Sequence, residues 1–159
     1  MTPYAGDCGT FRMGSDELSG LLDEAILDHR RNPRNSHTLQ SSTLRGRAVN
    51  PFCGDEVDIQ IGIQGGHIAE IGAQGVGCSI NLAATSMLSQ AIKGRSLEEA
   101  DELGGHFRGM MRGDTLPATD LERLGDLKAL SGVRQFPVRI KCALLALSAL
   151  EEAADNRPA

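Results

Sequence analysis

Three cysteines and one aspartate are the residues of this chain best suited to chemistry. Cys53 and Asp55 lie close together in Asn50-Pro51-Phe52-Cys53-Gly54-Asp55, where proline and glycine favour a tight turn. Cys78 precedes one helical pattern, and Cys142 lies near the start of the last one. Thiolates and a carboxylate suit zinc, and thiolates also hold iron–sulfur clusters. Each cysteine taken alone is better explained as a small buried hydrophobe, so the case for a metal depends on their combination.

Arg139 bears on the same chemistry. It lies one helical turn before Cys142, so a helix places the two side chains on the same side. A guanidinium there favours the thiolate and could hold an anionic sulfur species, although an exposed helix residue is the commoner role. Cys8 is far from any helix or strand pattern, and we predict that it is not a ligand. The histidines show no metal-pair spacing, and we expect them at the surface or at helix ends: His29, His37, His67 and His106.

Composition restricts the class of protein. The chain has 159 residues, of which 40% are hydrophobic and 3% aromatic, enough for one domain with a mostly aliphatic core. A formal charge of −5 argues against a nucleic-acid-binding face. No apolar run approaches the length of a membrane helix, and the N-terminus has no secretory pattern, so we expect a cytoplasmic protein without membrane partners. We predict a flexible extension over residues 1–14 and a single domain over 15–155.

The hydrophobic patterns predict a sheet followed by helices. A first helix should be capped by Ser15 or Asp16 and end at Asn32-Pro33, leaving a basic corner of Arg30, Arg31 and Arg34. This corner could be a solvated helix end or a docking patch for an acidic partner. Alternating patterns then predict strands over residues 45–49, 56–63 and 67–73, with a hairpin turn at Gln64-Gly65-Gly66.

Four more helical patterns follow the strands. Ser96 and Glu99 form a capping box for the second of these helices. Pro137 suits the first turn of the final, very apolar helix. We therefore predict an α+β fold, a three-stranded antiparallel sheet packed against about five helices. The predicted ranges of these four helices are 79–92, 96–111, 121–130 and 138–154, with a turn over 131–136.

Several motifs together resemble the IscU/SufU family of iron–sulfur assembly proteins, whose domain also forms the N-terminus of NifU. They cover about residues 18–153, and their combination and order are specific, although no single motif is. The matching stretches are Leu27-Asp28-His29, Asn32-Pro33-Arg34-Asn35, Asn50-Pro51-Phe52-Cys53-Gly54-Asp55, Gly75-Val76-Gly77-Cys78-Ser79-Ile80, Ser86-Met87-Leu88, Ala91-Ile92-Lys93-Gly94 and Phe136-Pro137-Val138-Arg139-Ile140-Lys141-Cys142-Ala143.

Within the family the chain is similar to the SufU branch. Between Cys78 and Cys142 lie 63 residues, more than in the IscU branch, because a segment near 112–131 is inserted. Lys141 stands where the IscU branch carries a histidine, and the stretch before Arg139 lacks the proline pair of the motif that recruits an Hsp70 chaperone. The resemblance implies that zinc is bound by Cys53, Asp55, Cys78 and Cys142.

The resemblance also implies a partner and a reaction. SufU-like proteins accept persulfide sulfur from a PLP-dependent, SufS-like cysteine desulfurase, which makes this chain a sulfurtransferase that serves downstream scaffold proteins. We assign catalysis to Cys142, as the favoured sulfur acceptor, and to Arg139. Two alternatives stay open: a scaffold on which the same four ligands build a [2Fe–2S] cluster, and an interaction module with purely structural zinc.

Overall fold

A computed structural model describes residues 24–51 and 54–156 of the chain. Within these residues three antiparallel strands form one sheet in the order β1-β2-β3, and the α+β prediction is confirmed. The start of the first predicted helix and the predicted extension over 1–14 lie outside the described residues. The strands are β1 (Leu44–Asn50), β2 (Asp55–Gln64) and β3 (His67–Val76).

Within the same described residues, five α-helices and one 3-10 helix accompany the sheet. The capping box at Ser96 is present, with the Ser96 hydroxyl accepting from the Glu99 N–H and the Glu99 carboxylate accepting from the Ser96 N–H. The helices are α1 (Glu24–Arg31), α2 (Ser79–Ile92), α3 (Leu97–Arg112), α4 (Ala118–Arg123), the 3-10 helix (Gly125–Gln135) and α5 (Pro137–Asp155).

The predicted short helix over 121–130 is wrong in type and extent. The chain instead forms α4, which has Leu124 as its C-cap. A 3-10 helix follows from Gly125 to Gln135 and takes up most of the predicted turn at 131–136. Gly125, with φ 56°, interrupts the α-helical pattern at the point where the two meet. Leu124, Leu127, Leu130 and Val133 recur at a spacing of three, which buries one face of a 3-10 helix.

Helices α2 and α5 pack on one face of the sheet, and α5 approaches β1 most closely at Gly46. A Cβ atom at Gly46 would lie 2.0 Å from the Ala149 carbonyl oxygen and 2.4 Å from the Ala153 nitrogen. Glycine facing two alanines therefore lets the backbones of β1 and α5 come into contact. Cys142 lies on the buried side of the same helix, so the packing of α5 on β1 sets the distance of Cys142 from the sheet.

Candidate metal centre

Asp55 is the first residue of β2 and is completely buried. Its carboxylate lies against Gly77, where a Cβ atom would be only 1.9 Å from Asp55 Oδ1. Gly77 also has a φ of 131°, a backbone angle that L side chains rarely adopt. The absence of a side chain at Gly77 therefore lets the Asp55 carboxylate approach the backbone closely.

Cys78 is the N-cap of α2 and lies directly beside Asp55. Its backbone N–H donates to Asp55 Oδ1 at 3.1 Å, and its thiol donates to Asp55 Oδ2 at 3.3 Å. The pKa of the Cys78 thiol lies below its usual value, first because the Cys142 thiol donates a hydrogen bond to its sulfur. The backbone N–H of Asn81 acts in the same direction, whereas burial and the Asp55 carboxylate oppose the shift in this pKa.

Cys142 completes a buried cluster. It projects from the second turn of α5, and its Sγ lies 3.9 Å from the carbonyl oxygen of Val138. Ligand atoms of Asp55, Cys78 and Cys142 all lie within 4.8 Å of one another. Three separate elements, β2, α2 and α5, thus bring two sulfurs and a carboxylate oxygen to one point.

The donor set and its dimensions fit a bound metal ion. Zinc–sulfur bonds near 2.3 Å and zinc–oxygen bonds near 2.1 Å place a tetrahedral sulfur and oxygen pair about 3.6 Å apart. The observed separation of Cys78 Sγ and Asp55 Oδ2, 3.3 Å, is close to that value. A buried carboxylate is costly unless a cation or hydrogen bonds compensate it, so its position beside two thiols favours a metal site over simple apolar packing of the two cysteines.

Cys53, predicted as the remaining ligand, lies outside the described residues, as does Cys8. The chain on either side of Cys53 is described. The Gly54 N–H donates to the Asn50 carbonyl at 2.8 Å, and Asn50 pairs with Asp55 at the ends of β1 and β2. The assignment of Cys53 as a metal ligand remains a prediction.

Arg139 is buried, with 5% of its surface exposed, so the exposed role that is commoner for such an arginine does not apply. It lies one turn before Cys142 in α5. Among the described residues, none makes a hydrogen bond or an ion pair with its guanidinium. Its role toward Cys142 therefore remains a prediction.

Asn81 is a positioning residue that the sequence did not reveal. It is buried in the first turn of α2, and its Nδ2 donates to the carbonyl oxygens of Glu56 at 3.3 Å and Val76 at 3.1 Å. These bonds tie the start of α2, with Cys78, to the ends of β2 and β3, with Asp55. An asparagine at the start of an otherwise apolar helical pattern was the available signal.

His29 fits the prediction that the histidines lie at the surface or at helix ends, but it has a buried role that the sequence did not reveal. It is in the last turn of α1, as expected of a helix-end residue, but it is fully buried. Its Nδ1 is 2.7 Å from the Ser86 hydroxyl and its Nε2 is 2.7 Å from Asp126 Oδ2. His29 thus joins α1, α2 and the 3-10 helix. His37 and His67 are exposed, whereas His106 is partly buried inside α3.

The basic corner is largely engaged within the molecule. The Arg34 guanidinium forms an ion pair with Asp28 at 2.6 Å, which lowers the pKa of the Asp28 carboxyl. Arg30 Nε donates to the Ser79 hydroxyl at 2.7 Å, next to Cys78. Arg31 is exposed. Two of the three arginines therefore stabilise the local fold, and the corner is not a free cationic patch.

Comparison with known proteins identifies the class to which this fold and centre belong. The NifU-like N terminal domain model matches residues 22–156. The chain belongs to this family, which includes the IscU and SufU proteins of iron–sulfur cluster assembly, and the resemblance drawn from the motifs is confirmed.

Individual relatives carry two different names. The chain is 41% identical over 135 residues to the zinc-dependent sulfurtransferase SufU of Bacillus subtilis, which covers 85% of this chain and 90% of that protein. It is 36% identical over 141 residues to the iron–sulfur cluster assembly scaffold protein IscU of Streptococcus pyogenes, covering 89% of this chain and 87% of that protein. The crystal structure of a candidate SUF-system scaffold, SufU from Fervidobacterium islandicum, superposes with a TM-score of 0.76 at 28% identity, covering 82% and 94% of the two chains.

Within the part of the chain that the structure describes, no helix is both long and apolar enough to cross a membrane.

Proposed function

We propose that this chain is a zinc-dependent sulfurtransferase that accepts persulfide sulfur from a PLP-dependent cysteine desulfurase during iron–sulfur cluster assembly. The observation that carries the proposal is the buried convergence of Asp55, Cys78 and Cys142 from three elements. The 41% identity to a protein named as a zinc-dependent sulfurtransferase supports this particular activity within the family.

In this proposal Cys53, Asp55, Cys78 and Cys142 hold the zinc. Bound zinc would keep the cysteine sulfurs deprotonated and would compensate the buried carboxylate. The chain itself positions the donors: Gly77 admits the Asp55 carboxylate, Asn81 anchors the start of α2, and the close packing of α5 on β1 sets the position of Cys142.

Cys142 is the proposed sulfur acceptor. Its thiolate attacks the outer sulfur of the desulfurase persulfide, and a bond forms between these two sulfurs as the sulfur–sulfur bond in the desulfurase breaks. The desulfurase cysteine leaves as a thiolate, so sulfur moves without net oxidation or reduction. Arg139, buried one turn away, provides a positive charge that favours the Cys142 thiolate and the anionic persulfide that replaces it.

A scaffold role is the second candidate, favoured by the 36% identity to a protein named as an IscU scaffold. The same four residues would then assemble a [2Fe–2S] cluster as cargo and release it to an acceptor. Metal analysis and the visible spectrum of protein purified without oxygen distinguish the two. One zinc per chain and a colourless solution are expected for the sulfurtransferase, whereas a brown, iron-containing protein indicates the scaffold.

The sulfurtransferase activity itself is tested by titrating a cysteine desulfurase with this chain and measuring alanine release. Wild-type protein should stimulate turnover, and Cys142→Ser should abolish stimulation. Cys8→Ser is the matched control and should behave as wild type. Full stimulation by Cys142→Ser would show that another cysteine accepts the sulfur or that no transfer occurs.

A further inference from the structure

Two polar side chains are buried in α2, close to the metal centre and outside its donor cluster. Asn81 has none of its surface exposed, and Thr85, one helical turn further along, has 3%. Burying an amide and a hydroxyl costs free energy unless hydrogen bonds satisfy them, and apolar residues of similar size would avoid that cost. The partners of these two side chains therefore indicate their role.

The amide of Asn81 joins the two chain segments that lead to donor residues. Its Nδ2 carries two hydrogens and donates to the carbonyl oxygens of Glu56 at 3.3 Å and Val76 at 3.1 Å. Glu56 and Val76 are the last residue pair of the β2–β3 ladder at this end of the sheet. Glu56 directly follows Asp55, and Val76 is two residues before Cys78. One side chain thus holds the chain on both sides of the contact between the carboxylate and the thiol.

The backbone of Asn81 acts on Cys78 as well. Cys78 is the N-cap of α2, so Asn81 occupies the third helical position, where the backbone N–H points toward the cap residue. After the Cys142 thiol, which acts most strongly, this N–H lowers the pKa of the Cys78 thiol. The side chain of Asn81 therefore acts on the position of Cys78, and its backbone acts on the sulfur.

Thr85 holds Asn81 in this arrangement. Its hydroxyl donates to the backbone carbonyl of Asn81 at 2.8 Å, and the same Oγ1 lies 3.5 Å from Asn81 Oδ1. The carbonyls of Glu56 and Val76 can accept only from Nδ2, which fixes the orientation of the amide. Thr85 thus supports Asn81 from the side opposite the sheet ends.

Strand β3 accommodates both side chains at Gly75. A Cβ atom at this position would lie 3.2 Å from Thr85 Oγ1 and 3.4 Å from Asn81 Nδ2. Glycine therefore lets the two polar side chains pack directly against the strand that leads to Cys78.

We infer that Asn81 and Thr85 are positioning residues for Cys78, and that they determine how firmly the metal centre retains zinc. The inference rests on the proposed function, because it takes zinc as the bound metal. The donor cluster consists of other residues, so Asn81 and Thr85 act through the position of Cys78 rather than on the metal itself. Hydrogen-bonding groups that orient metal ligands typically contribute roughly tenfold to a hundredfold in metal affinity.

The test is a zinc competition titration of the full chain with a chromogenic chelator, together with the visible spectrum of the cobalt-loaded chain. Asn81→Ala removes the amide. Thr85→Val removes the hydroxyl at nearly the same shape, and Thr85→Ser retains it. Ser89→Ala is the matched control, because Ser89 is buried in the same helix, one turn further from Cys78, and its hydroxyl donates to the Ser86 carbonyl at 2.7 Å. Chemical denaturation gives the stability of each variant.

Asn81→Ala should raise the zinc dissociation constant roughly tenfold to a hundredfold, and Thr85→Val should raise it roughly a few-fold. Thr85→Ser and Ser89→Ala should keep the wild-type dissociation constant, even though Ser89→Ala lowers the free energy of unfolding. In the cobalt-loaded Asn81→Ala chain the sulfur-to-cobalt charge-transfer bands should shift, because the Cys78 thiolate is held less firmly. The same bands should be unchanged in Ser89→Ala.

Wild-type zinc affinity in both Asn81→Ala and Thr85→Val would overturn the inference. An equal loss of affinity in Ser89→Ala would also overturn it, because the loss would then follow from stability alone. If Asn81→Ala does not fold, the difference between Thr85→Val and Thr85→Ser decides. A wild-type chain that binds zinc but does not stimulate a cysteine desulfurase would overturn the proposed function and leave the role of Asn81 and Thr85 intact, whereas a wild-type chain that binds no zinc would overturn both.

Discussion

The metal centre and the basic corner differ in how their polar side chains are arranged. At the corner, Arg34 and Arg30 are bound to Asp28 and Ser79, so charges that look free in the sequence are engaged within the molecule. At the metal centre, the side chains of Asp55, Cys78 and Cys142 are buried and come together from three different elements. The comparison indicates that a run of arginines in the sequence is poor support for a docking surface, because the charges can be engaged within the molecule, whereas convergence of buried polar side chains from separate elements is good support for a site.

The two regions are also held together differently. The corner is tied to the core by His29, whose ring joins Ser86 and Asp126 without any metal. The centre brings two thiols and a carboxylate together in a buried space, which metal binding would stabilise. Substitutions at the centre should therefore affect metal and activity together, whereas substitutions at the corner should leave the zinc content unchanged.

The largest expected effect is the loss of metal on substitution of a cysteine at the centre. Cys78→Ser and Cys142→Ser should each lose most of the zinc, because a hydroxyl is a much weaker ligand than a thiolate. Metal analysis of purified protein measures this loss, and Cys8→Ser serves as the control. Retention of one zinc per chain in both variants at the centre, or its loss in Cys8→Ser, would contradict the ligand assignment.

The next effect concerns the contact between Gly77 and Asp55. Gly77→Ala should destabilise the fold by about 2–4 kcal/mol, because it strains the backbone and pushes the carboxylate away from Cys78. Asp55→Ala should keep the fold and only loosen the metal, because three thiolates remain. Chemical denaturation and a zinc competition assay measure the two effects. A Gly77→Ala variant that is as stable as wild type would contradict the close contact between Gly77 and the Asp55 carboxylate.

At the basic corner, His29→Ala should lower the free energy of unfolding by about 2–3 kcal/mol, because it leaves the Ser86 hydroxyl without its buried partner. The exposed Arg31→Ala, two residues along the same helix, is the matched control and should leave stability unchanged. Denaturant titration gives both values. Zinc content should stay at the wild-type level in His29→Ala, and a loss of zinc would show that the two regions are coupled.

The smallest expected effects distinguish residues that act in the sulfur-transfer step from residues that act in binding of the desulfurase. Arg139→Ala should lower the maximal stimulation of the desulfurase, because it removes a buried positive charge one helical turn from the proposed acceptor. Losing the Arg30–Arg31 pair should mainly raise the concentration needed for half-maximal stimulation, and only slightly, because Arg30 is engaged with Ser79. Alanine release titrated with each variant distinguishes the two outcomes. An Arg139→Ala variant that reaches the wild-type maximum would assign Arg139 to docking.

Local patterns predicted much of this fold because they depend on local physics. The range of α2, the capping box at Ser96 and the three strands follow from hydrophobic period, caps and turns. The 3-10 helix was missed because its spacing of three is close to the spacing of an α-helix over a short range.

The candidate site was predicted in its residue types and not in its contacts. Burial of His29 and Arg139 depends on elements distant in the chain, such as Asp126 opposite His29, which no local pattern reports.

The central claim is that Cys142, held at this buried centre, accepts sulfur from a cysteine desulfurase. The most direct measurement is mass spectrometry of the zinc-loaded chain after a single turnover of the desulfurase with cysteine, followed by peptide mapping with thiol blocking. The account predicts a mass gain of one sulfur atom, located on Cys142 and absent in Cys142→Ser. A desulfurase that is stimulated while Cys142 gains no sulfur, or sulfur found only on Cys8, would contradict it.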